Sequence, residues 1–230
     1  MSRAAGLMLF ALVLHICMSN AQAQTRLLPA PKSDVQEWNE VQLAVPLNSN
    51  VDFVLSGTLR FGRHVSRAVD ERIGVAFQIK PGKKIGKYLS FAPGYLHIGM
   101  QPTEGRFTDE ERLSLPITVR FNAGGWTISE RNLFERRFRR PQVNATRYRN
   151  RLQFEHPVKL ADQKLTFFTA DEVFYDWSVN LWVRNRFTAG LSKKFNKHFT
   201  GDIYYLRQND GRSRPGDLHV IGTTIRLRTG

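Results

Sequence analysis

From Glu111 onward, apolar and polar side chains take turns. Leu113, Leu115, Ile117, Val119 and Phe121 fall on every second position, with Arg112, Ser114, Thr118 and Arg120 between them. Successive side chains of a β-strand point to opposite faces, so this stretch has one apolar and one charged face. The same pattern recurs in 51–61, where Val51, Phe53, Leu55, Leu59 and Phe61 oppose Asp52, Ser56, Thr58 and Arg60. In 146–154, Tyr148, Leu152 and Phe154 oppose Arg147, Arg149, Arg151 and Gln153. In 183–191, Val183, Phe187, Ala189 and Leu191 oppose Arg184, Arg186, Thr188 and the following Ser192.

Strand-like segments are expected at 35–45, 51–61, 70–80, 87–98, 110–121, 126–138, 146–156, 164–176, 183–193, 198–208 and 218–228. Short turns (46–50, 81–86, 122–125, 158–163, 194–197) alternate with longer polar links (62–69, 99–109, 139–145, 177–182, 209–217). That rhythm is how outer-membrane barrels are built, with the short turns in the periplasm. Each segment has the roughly 9–11 residues needed for a tilted strand to cross hydrocarbon. Aromatics near segment ends (Trp38, Phe61, Tyr88, Trp126, Tyr148, Tyr175, Trp177, Phe195 and Phe199) fit interfacial girdles. The pattern predicts an all-β protein: a single antiparallel up-and-down transmembrane β-barrel of about 10–12 strands with longer outer loops. An odd number of segments leaves two readings. Either 35–45 is no regular wall strand, or a further strand lies in the leader. Pro93 and Pro116 fall inside segments and each predicts a bulge or a break.

The start of the chain agrees with a destination outside the cytoplasm. Arg3, the apolar run Leu7 to Met18 and Ala21-Gln22-Ala23 form a secretory signal over residues 1–24, expected to be removed. Residues 25–34, with Pro29 and Pro31, read as an extended leader, and 35–230 as one barrel domain. The only cysteine, Cys17, lies in the signal, which excludes disulfides and thiolate chemistry from the mature chain. Of 34 Lys and Arg only Arg3 precedes the expected cleavage site, and all 20 Asp and Glu follow it, which leaves a net charge of +13. Such a balance suits polyanions; export points to an anionic membrane surface rather than nucleic acid.

Several motifs together resemble one family. They are Trp38, Arg149-Asn150-Arg151-Leu152-Gln153-Phe154, and Phe168 through Glu172-Val173-Phe174-Tyr175. Arg184-Asn185-Arg186-Phe187 with Gly190-Leu191, Tyr205-Leu206-Arg207-Gln208, and His219-Val220-Ile221-Gly222 complete the set. Over about residues 35–228 the chain is similar to domain-of-unknown-function family 2490, a group of bacterial outer-membrane barrels. The resemblance implies fold and location, and it carries no catalytic residue. Outer-membrane barrels usually finish on an aromatic residue, whereas this chain reads Leu227-Arg228-Thr229-Gly230.

The polar faces supply a candidate lumen lining: Arg72, Arg112, Arg120, Arg147, Arg149, Arg151, Glu155, Glu172, Arg184 and Arg186. Rings of like charge set pore selectivity, so these residues point to a passive pore for small anionic solutes. The alternative is a barrel filled by arginine–carboxylate packing, a structural component of the outer membrane. Basic residues at 136–151 (Arg136, Arg137, Arg139, Arg140, Arg147, Arg149 and Arg151) suggest contact with lipopolysaccharide phosphates. Lys83, Lys84 and Lys87 read as periplasmic surface charge. Expected partners are outer-membrane lipids, lipopolysaccharide and the outer-membrane assembly machinery of a Gram-negative bacterium.

Catalysis finds little support in the sequence. His97 and His219 fall near the long-loop rim, the latter beside Asp210, Ser213 and Asp217, but no Gly-x-Ser-x-Gly setting accompanies them. A lipid-modifying enzyme and a soluble periplasmic polyanion-binding β-protein stand as alternatives. No cofactor is expected, because no glycine-rich phosphate loop occurs. No His/Asp/Glu cluster has metal-ligand spacing along the chain.

Overall fold

A computed structural model describes residues 31–103 and 106–230. The expected signal, with Arg3 and Cys17, lies outside the described residues, as does the leader up to residue 30. Twelve strands follow: β1 (Ser33–Pro46), β2 (Val51–Gly62), β3 (Arg67–Ile79), β4 (Leu89–Phe91), β5 (Gly94–Thr103) and β6 (Arg106–Ala123). Then come β7 (Trp126–Arg140), β8 (Ala145–Leu160), β9 (Gln163–Asp176), β10 (Leu181–Lys194), β11 (Phe199–Asp210) and β12 (Asp217–Arg228). A one-turn helix, α1 (Gly82–Ile85), lies between β3 and β4 and carries exposed Lys83 and Lys84, with Lys87 just beyond it.

β4 and β5 together occupy one position in the wall. Both pair with β3 on one side and with β6 on the other. The break between them falls at Ala92-Pro93, where proline has no N–H to give to the ladder. Pro116, by contrast, leaves β6 unbroken. Its carbonyl accepts from Ala92 N at 3.0 Å, so its missing N–H faces Ala92 in the β4/β5 gap, and the one ladder bond it cannot make falls where the neighbouring strand is already broken.

Eleven wall positions result, and the odd number fixes how the sheet closes. In an up-and-down sheet of odd count the first and last strands run the same way. Accordingly β1 pairs with β12 in parallel, from Ser33↔Asp217 to Ala44↔Arg228. All other neighbours are antiparallel. Ten or twelve wall strands would each avoid an odd count; the parallel pair is a third way, and it departs from the wholly antiparallel sheet expected from the sequence. At this seam Arg228 donates twice to Asp52, at 2.7 and 2.8 Å, and Thr229 N bonds Ala44 O at 3.0 Å.

Closure leaves no edge, so every wall strand has a hydrogen-bonded neighbour on both sides. Outside, the wall exposes Ile73, Val75, Phe77, Leu113, Leu115, Val119, Phe121, Phe187, Ile203 and Ile221. Apolar area of that extent belongs in hydrocarbon rather than water. At one rim Phe134, Tyr148, Tyr175, Trp177 and Trp182 stack within 5.3–6.4 Å of one another. At the other, Trp126 meets His156 and Phe195 meets Phe199, each at 4.7 Å. Trp38 is not part of a girdle. Even-numbered residues of β1 face inward, and Trp38 is 5 % exposed inside the barrel.

Two of the links expected to be long are largely strand. β5 and β6 absorb all of 99–109 but its tip, and 62–69 shortens to the turn 63–66. Alternation was the signal there, and polarity alone did not mark a loop.

Candidate functional site: an arginine-rich interior

Period-two alternation delivers the charged faces to the inside, and cross-strand register decides which charges meet. Glu135 on β7 is 2 % exposed and accepts from three arginines: Arg112 at 3.0 Å, Arg147 at 2.7 Å and Arg149 at 3.1 Å. Glu110 on β6, with no exposure at all, accepts from Arg112 at 2.8 and 2.9 Å and twice from Arg137 at 2.7 Å. Glu172 on β9 takes Arg131 at 2.7 Å and Arg149 at 2.8 Å. Three carboxylates thus serve five guanidiniums. Arg72 and Arg184 have their own partners, Asp70 and Asp210.

Two further arginines beside this cluster have no carboxylate within ion-pair distance, although Glu172 is in electrostatic range of both. Arg186, 8 % exposed, donates to the Gln208 side-chain oxygen at 2.8 Å. Arg151 makes no hydrogen bond or ion pair among the described residues, and its Nε is buried without an acceptor. Burying a charge is costly unless it is paired, so this interior holds positive charge in excess of its own acceptors.

Aromatic rings take up part of the deficit. Phe174 is fully buried, with the guanidiniums of Arg147, Arg149, Arg184 and Arg186 between 4.6 and 5.4 Å from its centroid. Arg186 also stands 4.9 Å from the Trp38 ring, which carries Arg60 at 3.6 Å. Cations are attracted to ring faces, and the effect grows when water is excluded. Trp38 is held in turn by its indole N–H donating to Gln36 at 2.8 Å.

This arginine–Phe174 layer divides the interior. Beyond it toward the 63–66 and 211–216 rim lies a vestibule of about 430 Å³. Nine arginines line it, against two carboxylates, Asp176 and Asp210. On the other side is a larger cavity of about 760 Å³, whose wall includes Glu40, Asp202, Tyr204 and Leu206. Arg72, Arg112, Arg149 and Arg186 border both.

All ten residues proposed from the sequence lie on these walls. Arg120, Arg151, Glu155 and Glu172 line the larger cavity, Arg147 and Arg184 the vestibule, and Arg72, Arg112, Arg149 and Arg186 both. Sequence reasoning missed Arg60, Arg131, Arg137, Glu110 and Glu135. Parity was available for each of them; what was missing was the register that makes Glu110 and Glu135 the hubs. The basic stretch 136–151 must be read differently. Arg137, Arg139, Arg147 and Arg149 face the vestibule and Arg151 the larger cavity, so only Arg136 and Arg140 stay exposed. Alternation splits a basic run between the two sides of a wall.

The rim histidines also separate from their sequence neighbours. His219 faces outward, bonded to Tyr205 at 2.6 Å and Arg207 at 2.7 Å. Ser213 bonds Asp210 at 2.6 Å and Arg184 at 3.0 Å in the vestibule, so no nucleophile–histidine pair forms here. His97 bonds Glu111 at 2.9 Å and lies 3.7 Å from Asp109, on the outer face of β5 and β6. Tyr95 donates to the same Glu111. His97, Asp109 and Glu111 present one nitrogen and two carboxylate ligands within 4.8 Å of one another, a set that could hold a metal ion. Antiparallel pairing assembles it from two strands, which is why spacing along the chain gave no sign of it.

Comparison with solved structures finds likeness at low identity. A KdgM porin, seen alone and in complex with disordered oligogalacturonate, aligns at 12 % identity and a TM-score of 0.41. That alignment covers 78 % of this chain and 92 % of the porin. The β-domain of the Bordetella autotransporter BrkA aligns at 15 % identity and a TM-score of 0.40, covering 72 % of this chain and 79 % of that one. No curated protein sequence matches. The sequence profile of the family described as "Protein of unknown function (DUF2490)" matches residues 35–219, most of the chain, and the protein belongs to that family.

Proposed function

We propose that this protein is exported by residues 1–24, spans the bacterial outer membrane, and is a small passive pore for anions. One observation carries the reading: three buried carboxylates shared by five arginines, beside Arg151 and Arg186 with no carboxylate of their own. A surplus of fixed positive charge between low-dielectric walls raises the local concentration of anions and repels cations. The vestibule, with its nine arginines, gathers anions at the outer rim, and four arginines that border both cavities carry them from one to the other.

Planar-bilayer recording across a potassium chloride gradient tests this. A reversal potential of the sign for chloride permeation, reduced in Arg149→Ala, is the expected result. Cation preference would overturn the anion assignment. Absence of conductance from a folded barrel would make the protein a structural outer-membrane component instead.

A further inference from the structure

Arg131 and Arg151 stand directly opposite each other on β7 and β8, both on the inner face. Like charges in that position repel. Arg131 has one bond, to Glu172, while its Nε is buried with no acceptor; the Arg151 Nε is buried in the same way. A third such nitrogen, Arg60 Nε, belongs to the same cavity. The hydroxyl of Tyr204 lies within electrostatic range of Glu40 as well as of Arg60, Arg186 and Arg151, and none of the hydrogen bonds among the described residues uses it. These three arginines line one cavity and carry donor capacity that no acceptor among the described residues takes up.

We infer that the larger cavity is a binding site for a small organic anion bearing two or more carboxylates, held by Arg60, Arg131, Arg151, Arg186 and Tyr204. The inference rests on the basic interior proposed above and deepens it by naming a ligand class. Two or more negative groups follow from Arg151 and Arg186, neither of which has an ion-pair partner among the described residues. A carbon skeleton follows from the rest of the wall, where Leu133, Phe168 and Leu206 are interleaved with the arginines. At about 760 Å³ the cavity falls within the range of small-molecule sites. Guanidinium forks match carboxylates bidentately, so the ligand would replace the repulsion between Arg131 and Arg151 by a shared counter-charge.

Isothermal titration of the full chain, folded in detergent at low ionic strength, tests the site with citrate, acetate and inorganic phosphate. Citrate should bind saturably and at least tenfold more tightly than acetate. Arg151→Gln should weaken citrate tenfold or more, Arg151→Lys less, and Arg136→Gln on the outer face not at all. Because Arg151 makes no hydrogen bond or ion pair among the described residues and stands opposite Arg131, Arg151→Gln should unfold in urea no earlier than the parent chain. A loss of citrate binding together with a loss of stability would assign Arg151 a structural role and overturn the site. Phosphate binding as tightly as citrate would overturn the organic skeleton. Anion-selective conductance without saturable citrate binding overturns this inference alone; binding without conductance overturns the pore and leaves the site.

Discussion

The ring of Tyr204 lies across Gly222, its register partner on β12, filling the space a side chain would take. Tyr204 has a second glycine opposite it, Gly190 on β10, which is covered by Phe168. Beyond Gly222 the row continues to Trp38 on β1. Large and small residues therefore alternate around one inner layer: Phe168, Gly190, Tyr204, Gly222, Trp38. An aromatic ring laid over a cross-strand glycine pins strand register, and here it carries that register up to the parallel seam.

Gly222→Val should push Tyr204 off this surface. Overpacking of this kind costs about 1–3 kcal/mol. Urea titration of the barrel in micelles should show a lower midpoint, and citrate affinity should fall with it as the Tyr204 hydroxyl leaves the cavity.

Glu135→Gln removes the charge that Arg112, Arg147 and Arg149 share. Stripping one partner from a buried ionic cluster typically costs about 3–5 kcal/mol. Glu130, exposed on the outer face of the same strand and bonded to Asn150, makes a fitting comparison: Glu130→Gln should change stability by no more than about 0.5 kcal/mol. Equal losses for the two would refute the hub role of Glu135. In bilayers the Glu135 variant should also prefer chloride more strongly than the parent.

Phe174→Ala tests whether the arginine layer limits passage. The four guanidiniums around the ring lose their common surface, and truncating a buried phenylalanine costs about 3–5 kcal/mol. Single-channel conductance should rise in variants that still migrate as folded barrels. Unchanged conductance would place the narrowest point elsewhere.

Parallel closure can be tested covalently. Glu37 and Ile221 are register partners across β1 and β12, both on the outer face. Disulfides need Cα atoms about 4.4–6.8 Å apart, which adjacent strands provide. Glu37→Cys with Ile221→Cys should cross-link under oxidation, whereas Glu37→Cys with Ile225→Cys should not. The linked chain should run differently from the reduced one on a boiled gel. Preferential linking of the second pair would rule out the parallel register.

Heating gives the simplest check on the barrel itself. A sheet without edges resists detergent until it is boiled, so boiled and unboiled samples should migrate differently. Leu115→Arg, on the apolar outer face of β6, should lower stability by about 2–4 kcal/mol if that position lies near the bilayer midplane.

Much of this architecture is written in the sequence because strand faces are a local property. Leu113 to Phe121 and Arg147 to Gln153 sort themselves outward and inward by parity alone, whatever the neighbouring strands do. Parity likewise marks Arg149 and Arg186 as inward-facing. Position near a segment end is a weaker guide: it suggests a girdle role for Trp38, whereas the wall turns that ring into the barrel.

What the chain could not state by itself is who meets whom. Glu110 and Glu135 become hubs only once β6, β7 and β8 settle into register, and His97 joins Asp109 and Glu111 only across a strand pair. The odd strand count was legible, but its resolution was not, since β1 and β12 lie at opposite ends of the described chain and come together only when the sheet closes. Alternation follows from the geometry of each strand and is settled residue by residue. Pairing of charges and closure of the wall depend on contacts far apart in sequence, and only the tertiary structure decides them.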